Sequence, residues 1–302
     1  MFAPMARTET IRLVVALANG RGWPLFQLDV KSAFLNVPLE EEVFVTQPPG
    51  FELQYSPGKV YKLRKALYGL KQAPRTWNKV MDLFMQKQQF SKCLVEHGVY
   101  IKHTNGGSMV IMCIYVDDLL ITRNNNAKIE GFKQTLMAKF KIIDLGRLKY
   151  FLGMEFIEDS RGMILHQHKY ASEILKKFNM INSNPAATPA KMRVRNGECN
   201  VESEEVDITL YKQMVGSLRY LCNNKPDISF VVGWISRFMN QPRKVHLIAV
   251  KRVLRYIKGT VGHGILFPKG IQNQEELCGW KIQTSVEIVK IGRALVGIFS
   301  NF

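Results

Sequence analysis

Cysteine is scarce in this chain. Five residues in 302 (Cys93, Cys113, Cys199, Cys222 and Cys278) show no paired spacing, which argues against a disulfide framework and a zinc knuckle and fits reduced thiols in an intracellular protein. Long apolar runs are missing as well: nothing approaches the roughly 20 residues that span a bilayer, and no secretory signal opens the chain. Neither membrane insertion nor export is expected. Acidic residues are in short supply, 25 Asp and Glu against 42 Lys and Arg, for a net charge of +17. A deficit of this size points to a polyanionic partner, nucleic acid first and acidic membrane second. His166 and His168 are expected on a strand, facing solvent or nucleic acid, with no cysteine nearby to complete a metal set. What remains, 46% hydrophobic and 22% charged residues, describes a folded protein with core enough for one large or two to three smaller subdomains.

Apolar periodicity sets out the elements. A helix is expected over Thr8–Asn19, with Ile11, Val14, Val15 and Ala18 on one face and Gly20 and Gly22 ending it. Pro24–Val30 reads as a strand, Leu39–Phe51 as an exposed hairpin or loop, Val60–Leu63 as a further strand, and Thr76–Gln89 as a helix with Trp77, Val80, Met81 and Phe84 inward. Val99–His103 and Ser108–Val116 flank Thr104-Asn-Gly-Gly, a hairpin turn signal. A tighter reversal at Asp117-Asp118 leads into Leu119–Thr122. The asparagines at 124–126 cap a helix carrying Ile129, Phe132, Leu136 and Phe140, and strands follow at Lys149–Phe156 and Met163–Leu165. From His168 onward only helices are expected, at Leu210–Cys222, Pro226–Met239 and Lys244–Lys258, with a polar linker near 183–209. The order implies an α+β fold, an antiparallel sheet backed by helices, followed by an all-helical region. The charged face of the last helix (Lys244, Lys251, Arg252, Arg255, Lys258) reads equally well as a solvated surface and as a phosphate contact.

The chemistry concentrates in acids on apolar strands. Asp117 and Asp118 interrupt the run Met109–Tyr115 and Leu119–Ile121, and Asp29 ends Pro24-Leu-Phe-Gln-Leu. Adjacent carboxylates against a core lose hydration and repel each other, a cost most readily offset by a divalent cation. Asp29 alone reads as a surface acid at a strand end, and Asp117-Asp118 alone as an acidic hairpin turn. Together, in this order and on this basic background, they match what two-magnesium phosphoryl transfer needs: carboxylates on neighbouring rigid strands holding ions about 3.5–4 Å apart.

Four motifs in succession carry a resemblance to the reverse transcriptases of copia-type retrotransposons: Gln27-Leu-Asp-Val-Lys-Ser-Ala-Phe-Leu-Asn36, Ala66-Leu-Tyr-Gly-Leu-Lys-Gln-Ala-Pro-Arg-Thr-Trp77, Tyr115-Val-Asp-Asp118 and Tyr150-Phe-Leu-Gly-Met-Glu155. Tyr211–Leu221, Lys225–Ile228 and Lys251–Gly259 resemble the segment that follows in that family, so the likeness runs from residue 1 to about 267. It implies a right-hand polymerase: partial fingers and palm over 1–165, a helical thumb or connection region over 166–267, and an unmatched tail over 268–302. The resemblance makes Asp29, Asp117 and Asp118 the catalytic site, binding two Mg2+ ions, with Mn2+ as a substitute. The carbonyl of Val30 would complete the second ion's shell. Phe34 would crowd a ribose 2′-hydroxyl and select deoxynucleotides, its alternative being an ordinary core phenylalanine. Gly69 would leave room for a bound nucleotide or template base, its alternative being a helix-start glycine. Tyr68, Lys71 and Tyr115 complete the substrate pocket, and Leu152, Gly153, Met154 and Glu155 match the primer grip. The implied partners are an RNA or DNA template–primer duplex, bound through phosphates, and deoxynucleoside triphosphates.

The chain departs from the family pattern at both ends. Members carry a basic fingers segment before the equivalent of Met1-Phe-Ala-Pro, and a ribonuclease H domain starting near Leu277-Cys-Gly. Read one base out of frame from Lys281, allowed codons yield Asp-Ser-Asp, an interrupted codon and Cys-Gly-Asp-Arg-Glu-Asp-Arg-Lys-Ser-Thr-Ser-Gly-Tyr-Phe, which resembles the start of that domain. Residues 281–302 are therefore expected to be a poorly packed frameshift product, an expectation that sequencing the locus would test. The function expected is an RNA-directed DNA polymerase core without ribonuclease H. The alternative is an inactive remnant that at most binds nucleic acid. A palm-fold nucleotidyl cyclase or DNA-templated polymerase would lack the Gly69 and primer-grip motifs.

Overall fold

The computed structural model describes residues 3–56, 58–104, 108–124, 126–190, 206–270, 279–282 and 288–291. The chain divides into two compact units, one of residues 1–148 with 269–302, the other of 149–268. The architecture is mixed α and β, with antiparallel sheets and seven α-helices among the described residues.

In the first unit, helix α1 (Thr8–Gly20) forms where Ile11, Val14, Val15 and Ala18 recur at helical spacing, and all four are fully buried. Strand β1 (Leu25–Val30) follows. Two short strands, β2 (Phe44–Thr46) and β3 (Val60–Lys62), pair as an exposed hairpin. Helix α2 (Ala73–Lys87) starts with Pro74 at its first turn, where the missing N–H costs nothing, and buries Trp77, Met81, Phe84 and Met85. Strands β4 (Ser91–Lys92), β5 (Val99–Thr104), β6 (Ser108–Tyr115) and β7 (Asp118–Arg123) come next, then α3 (Asn126–Lys139) and β8 (Ile142–Arg147). The six-stranded sheet has the order β4-β5-β6-β7-β1-β8. Leu28, Val30, Met112, Ile114, Leu119 and Ile121 on one face form a single cluster with Trp77, Met81 and Phe84 of α2 and Ile129 and Leu136 of α3. The alternating residues Ile111, Cys113 and Leu120 are buried too, so the strands read as near-continuous apolar runs because both faces are covered. That is why the acids at the end of β1 and the start of β7 stand out.

Two expectations need correcting here. The tight reversal falls at Val116-Asp117, not Asp117-Asp118: Tyr115 pairs with Asp118, which already belongs to β7. Strand β8 was not anticipated. It is an edge strand with a largely exposed alternate row, and its pairing with β1 shifts register between Gln27 and Leu28, so its pattern carries little apolar signal.

The second unit opens with β9 (Tyr150–Phe151), β10 (Met154–Glu158) and β11 (Gly162–His166). Its helices are α4 (His168–Lys177), α5 (Ile208–Leu221), α6 (Ser229–Ile235, extended by 3-10 turns at both ends) and α7 (Lys244–Gly259). Ile174, Leu175, Tyr211, Leu218, Val232, Leu254 and Ile257 belong to one buried cluster. The expectation of helices only beyond His168 fails at its end. After α7 the chain returns as β12 (Ile265–Pro268), which pairs antiparallel with β11 and closes a four-stranded sheet of order β12-β11-β10-β9. The basic face of α7 is partly engaged within the chain. Arg255 Nε donates to the Asn184 carbonyl at 2.6 Å, Lys258 Nζ to the Ser183 carbonyl at 2.6 Å, and an Arg252 guanidinium nitrogen to Thr188 Oγ1 at 2.9 Å. Three of the five cations thus hold the 183–188 segment. His166 ends β11 largely buried, and His168 starts α4 rather than continuing the strand.

Most of the tail expectation lies outside the described residues. Within it, β13 (Gly279–Ile282) and β14 (Ile288–Ile291) pair as an antiparallel two-stranded sheet. Cys199 and Cys278 also lie outside the described residues, while Cys93, Cys113 and Cys222 are free thiols.

Candidate active site

The register between β1 and β7 sets Asp29 directly opposite Asp118. Directly paired residues of an antiparallel ladder project from the same face with Cβ atoms about 5 Å apart. Asp117 occupies the second position of the two-residue loop joining β6 to β7, and its carbonyl accepts the Val30 N–H at 2.9 Å. Residues far apart in the chain thereby share one end of the sheet. Positive φ occurs in this loop only at its first residue, Val116, at 56°. That is the type II′ pattern, whose first central position ordinarily takes glycine. A β-branched residue there is strained, and the opposing restraint is visible. Trp77, 2% exposed within the core, donates its indole N–H to the Val116 carbonyl at 2.6 Å.

The electrostatics follow from crowding. Burial, then the charges of Asp117 and Asp29, push the Asp118 carboxyl up from 3.8 to about 6, against a smaller opposing hydrogen bond from Gln27. Tyr68 reaches the neighbouring acid: burial and the Asp117 carboxylate, which accepts its hydroxyl, raise the Tyr68 pKa, while the Ala33 and Phe34 backbone opposes the rise. The Tyr68 ring lies 4.6 Å from that of Phe34, centroid to centroid, at 44°. Phe34 sits in a short 3-10 turn (Ala33–Asn36) entered through Ser32 at φ 51°, and Asn36 Nδ2 ties that turn to the Lys31 and Ser32 carbonyls, each at 3.0 Å. At 7% exposure Phe34 is also a member of the core cluster.

Asp29, Asp117, Asp118, Val30, Phe34, Tyr68 and Tyr115 are therefore brought together in one unit. Gly69 adopts φ 96°, and a side chain built there would meet nothing within 4 Å, so a backbone conformation rather than a helix start explains its glycine. Lys71 is exposed at the turn before α2. Leu152 to Glu155 belong to the second unit. Leu152 and Gly153 form a tight turn at φ 50° and 76°, Met154 is buried, and Glu155 Oε1 accepts the Lys169 N–H at 2.8 Å. Sequence reasoning missed the Trp77 and Gln27 contacts. An apolar stripe reports which face of a helix is buried, not which of its atoms meets a distant carbonyl.

Among the described residues no group of three or more His, Cys, Asp or Glu side chains stands as a ready metal cage. The donor set nonetheless suits a hard divalent cation: all-carboxylate oxygens, with burial and then mutual repulsion holding a proton on Asp118 to about pH 6.

Residues 1–192 match the family model described as reverse transcriptase (RNA-dependent DNA polymerase); the chain belongs to that family. Among its relatives are the retrovirus-related Pol polyproteins of transposon RE1 of Arabidopsis thaliana, 40% identical over 89% of this chain, and of transposon TNT 1-94 of Nicotiana tabacum, 38% identical over 88%. The chain spans 18% and 21% of the length of those polyproteins. It is also 34% identical, over 81% of its length, to the putative transposon Ty5-1 protein YCL074W of Saccharomyces cerevisiae, of which it covers 80%. The family match and the relatives place it with copia-type retrotransposon reverse transcriptases, a family that uses divalent metal ions. No helix among the described residues is long and apolar enough to cross a membrane.

Proposed function

We propose that this chain is the polymerase core of a copia-type element, extending a primer on an RNA template by phosphoryl transfer from deoxynucleoside triphosphates. The observation that carries this reading is the pairing of Asp29 with Asp118 across β1 and β7, with Asp117 in the adjoining loop. Residues 1–165 would serve as partial fingers and palm, and 166–267 as thumb, in an intracellular setting.

Asp29, Asp117 and Asp118 would hold two Mg2+ ions, with the Val30 carbonyl as a further ligand. When bound, such ions lower the pKa of a primer 3′-hydroxyl and neutralise triphosphate charge. The remaining work falls to the chain itself. Val116, pinned through its carbonyl by Trp77, keeps Asp117 at one side of the loop. Gln27 orients the Asp118 carboxyl, and Tyr68 ties Asp117 to the turn carrying Phe34. Phe34 and Tyr68 together would form the wall against a ribose, and the φ of Gly69 turns the backbone beside them. Leu152 to Glu155 would touch the primer strand. The excess of 17 positive charges would draw in the duplex without sequence preference and with a steep salt dependence.

Primer extension on an RNA template with Mg2+, run beside Asp117→Asn, tests the assignment. Extension by the parent, lost at least about 100-fold in the variant, is the expected result. Extension that survives in the variant would remove Asp117 from the site. No extension by the parent, with duplex binding retained, would instead favour a binding remnant.

A further inference from the structure

We infer that Tyr220 is a positioning residue: it fixes the Leu152–Gly153 turn so that the Gly153 N–H is presented to a phosphate oxygen of the primer strand. This rests on the reading of that turn as a primer contact, and extends it to a residue on a helix 67 positions further along from Gly153.

Tyr220 lies on α5, and its hydroxyl donates to the Leu152 carbonyl at 2.9 Å. In a planar trans peptide the C=O and the next N–H point in opposite directions. Capturing the Leu152 carbonyl from one side therefore aims the Gly153 N–H to the other, and Gly153 is only half-buried. The turn needs such support because Leu152, with a Cβ, is held at φ 50°, a region that L-residues enter at a cost. The neighbouring carbonyl is approached too: Gln167, buried to 3% exposure, sets its Nε2 3.5 Å from the Gly153 oxygen. The Tyr220 ring is itself braced edge-on by Tyr170, centroids 4.7 Å apart, while the Tyr170 hydroxyl donates to the Ser217 carbonyl at 3.4 Å.

Glycine at 153 is required twice over. Its φ of 76° is unfavourable to a side chain, and a Cβ there would stand 1.9 Å from the Tyr220 hydroxyl oxygen and 3.1 Å from the ring carbon bearing it. The second requirement comes from Tyr220 alone. It explains a glycine in this motif without any ligand present, and links the Tyr150–Glu155 motif to the Tyr211–Leu221 motif by direct contact.

Four proteins test the inference: the parent chain, Tyr220→Phe, Gly153→Ala and the double variant. Thermal unfolding should show Gly153→Ala the most damaged single variant and the double variant partly rescued, because Phe removes the clashing oxygen. Fluorescence anisotropy with a recessed-end primer–template and a blunt duplex of equal length reads the functional half. Tyr220→Phe should weaken the recessed-end complex by about tenfold and leave the blunt duplex unchanged. A double variant that melts with or below Gly153→Ala overturns the contact. Rescue in melting, with Tyr220→Phe binding the recessed end like the parent while Gly153→Ala binds it less well, overturns the positioning role and leaves the primer reading standing. If neither single variant alters recessed-end binding, the primer reading fails and the inference goes with it.

Discussion

The reversal at Val116-Asp117 and the reversal at Leu152-Gly153 solve the same problem with different means. Each forces a residue with a Cβ to positive φ, 56° at Val116 and 50° at Leu152, and each has a carbonyl captured by an aromatic side chain from a helix. At the first, the donor is the indole of Trp77, deep in the core at 2% exposure, and the loop carries one acid beside two others. At the second, the donor is the hydroxyl of Tyr220, 36% exposed, and the turn carries glycine and no charge. A core donor can resist the repulsion of crowded carboxylates because moving it would open a cavity. A rim hydroxyl has no such backing, so the second turn leans on glycine as well.

Substitutions separate the two designs. Trp77→Ala should cost about 3–5 kcal/mol in denaturant unfolding, the usual toll for a buried ring, and Trp77→Phe about 1–3 kcal/mol, for a carbonyl left without its donor. If Trp77→Phe is as stable as the parent, the indole contact does not brace the loop and the parallel between the reversals breaks.

Asp118→Asn sharpens the electrostatic half of the comparison. The folded chain keeps the Asp118 proton to about pH 6, whereas an unperturbed carboxyl releases it near 3.8. Stability is therefore lost as pH rises from 3.8 toward 6 and stays lost above it. The asparagine variant should gain about 1 kcal/mol at pH 7, a figure reduced for the screening of a half-buried group, and nothing near pH 3.5. A gain equal at both pH values would show that charge crowding is not its source. The same variant should lose polymerase activity, so that stability and function move in opposite directions.

The smallest effect is expected at Val116→Gly. Relief of backbone strain should nearly cancel the lost side-chain burial and the added chain entropy, leaving stability within about 1 kcal/mol of the parent by the same unfolding assay. A larger loss would mean that Val116 is placed by packing rather than merely tolerated.

Legibility in the sequence followed apolar signal. The stripes Ile11-Val14-Val15-Ala18 and Trp77-Met81-Phe84 named their helices because burial of one face is written in residue type at a fixed period. Strand β8 was not legible, being an edge strand whose Asp144 faces Lys133 at 2.7 Å instead of an apolar partner. The basic face of α7 was legible as charge but not as use. Arg252, Arg255 and Lys258 turn to oxygens of the 183–188 segment, a choice no charge count contains. The candidate acids were legible as a set, because carboxylates inside apolar strands are costly wherever they fall.

By itself the sequence determined which residues must be buried, where charge interrupts them, and the family to which four ordered motifs belong, since these depend on residue type and spacing along the chain. Only the tertiary structure decided that Asp29 faces Asp118, that the reversal falls one residue earlier, and that Trp77 and Tyr220 hold their carbonyls. A hydrogen bond between groups far apart in the chain depends on register and on helix placement to within an ångström or so, and neither quantity is carried by local pattern.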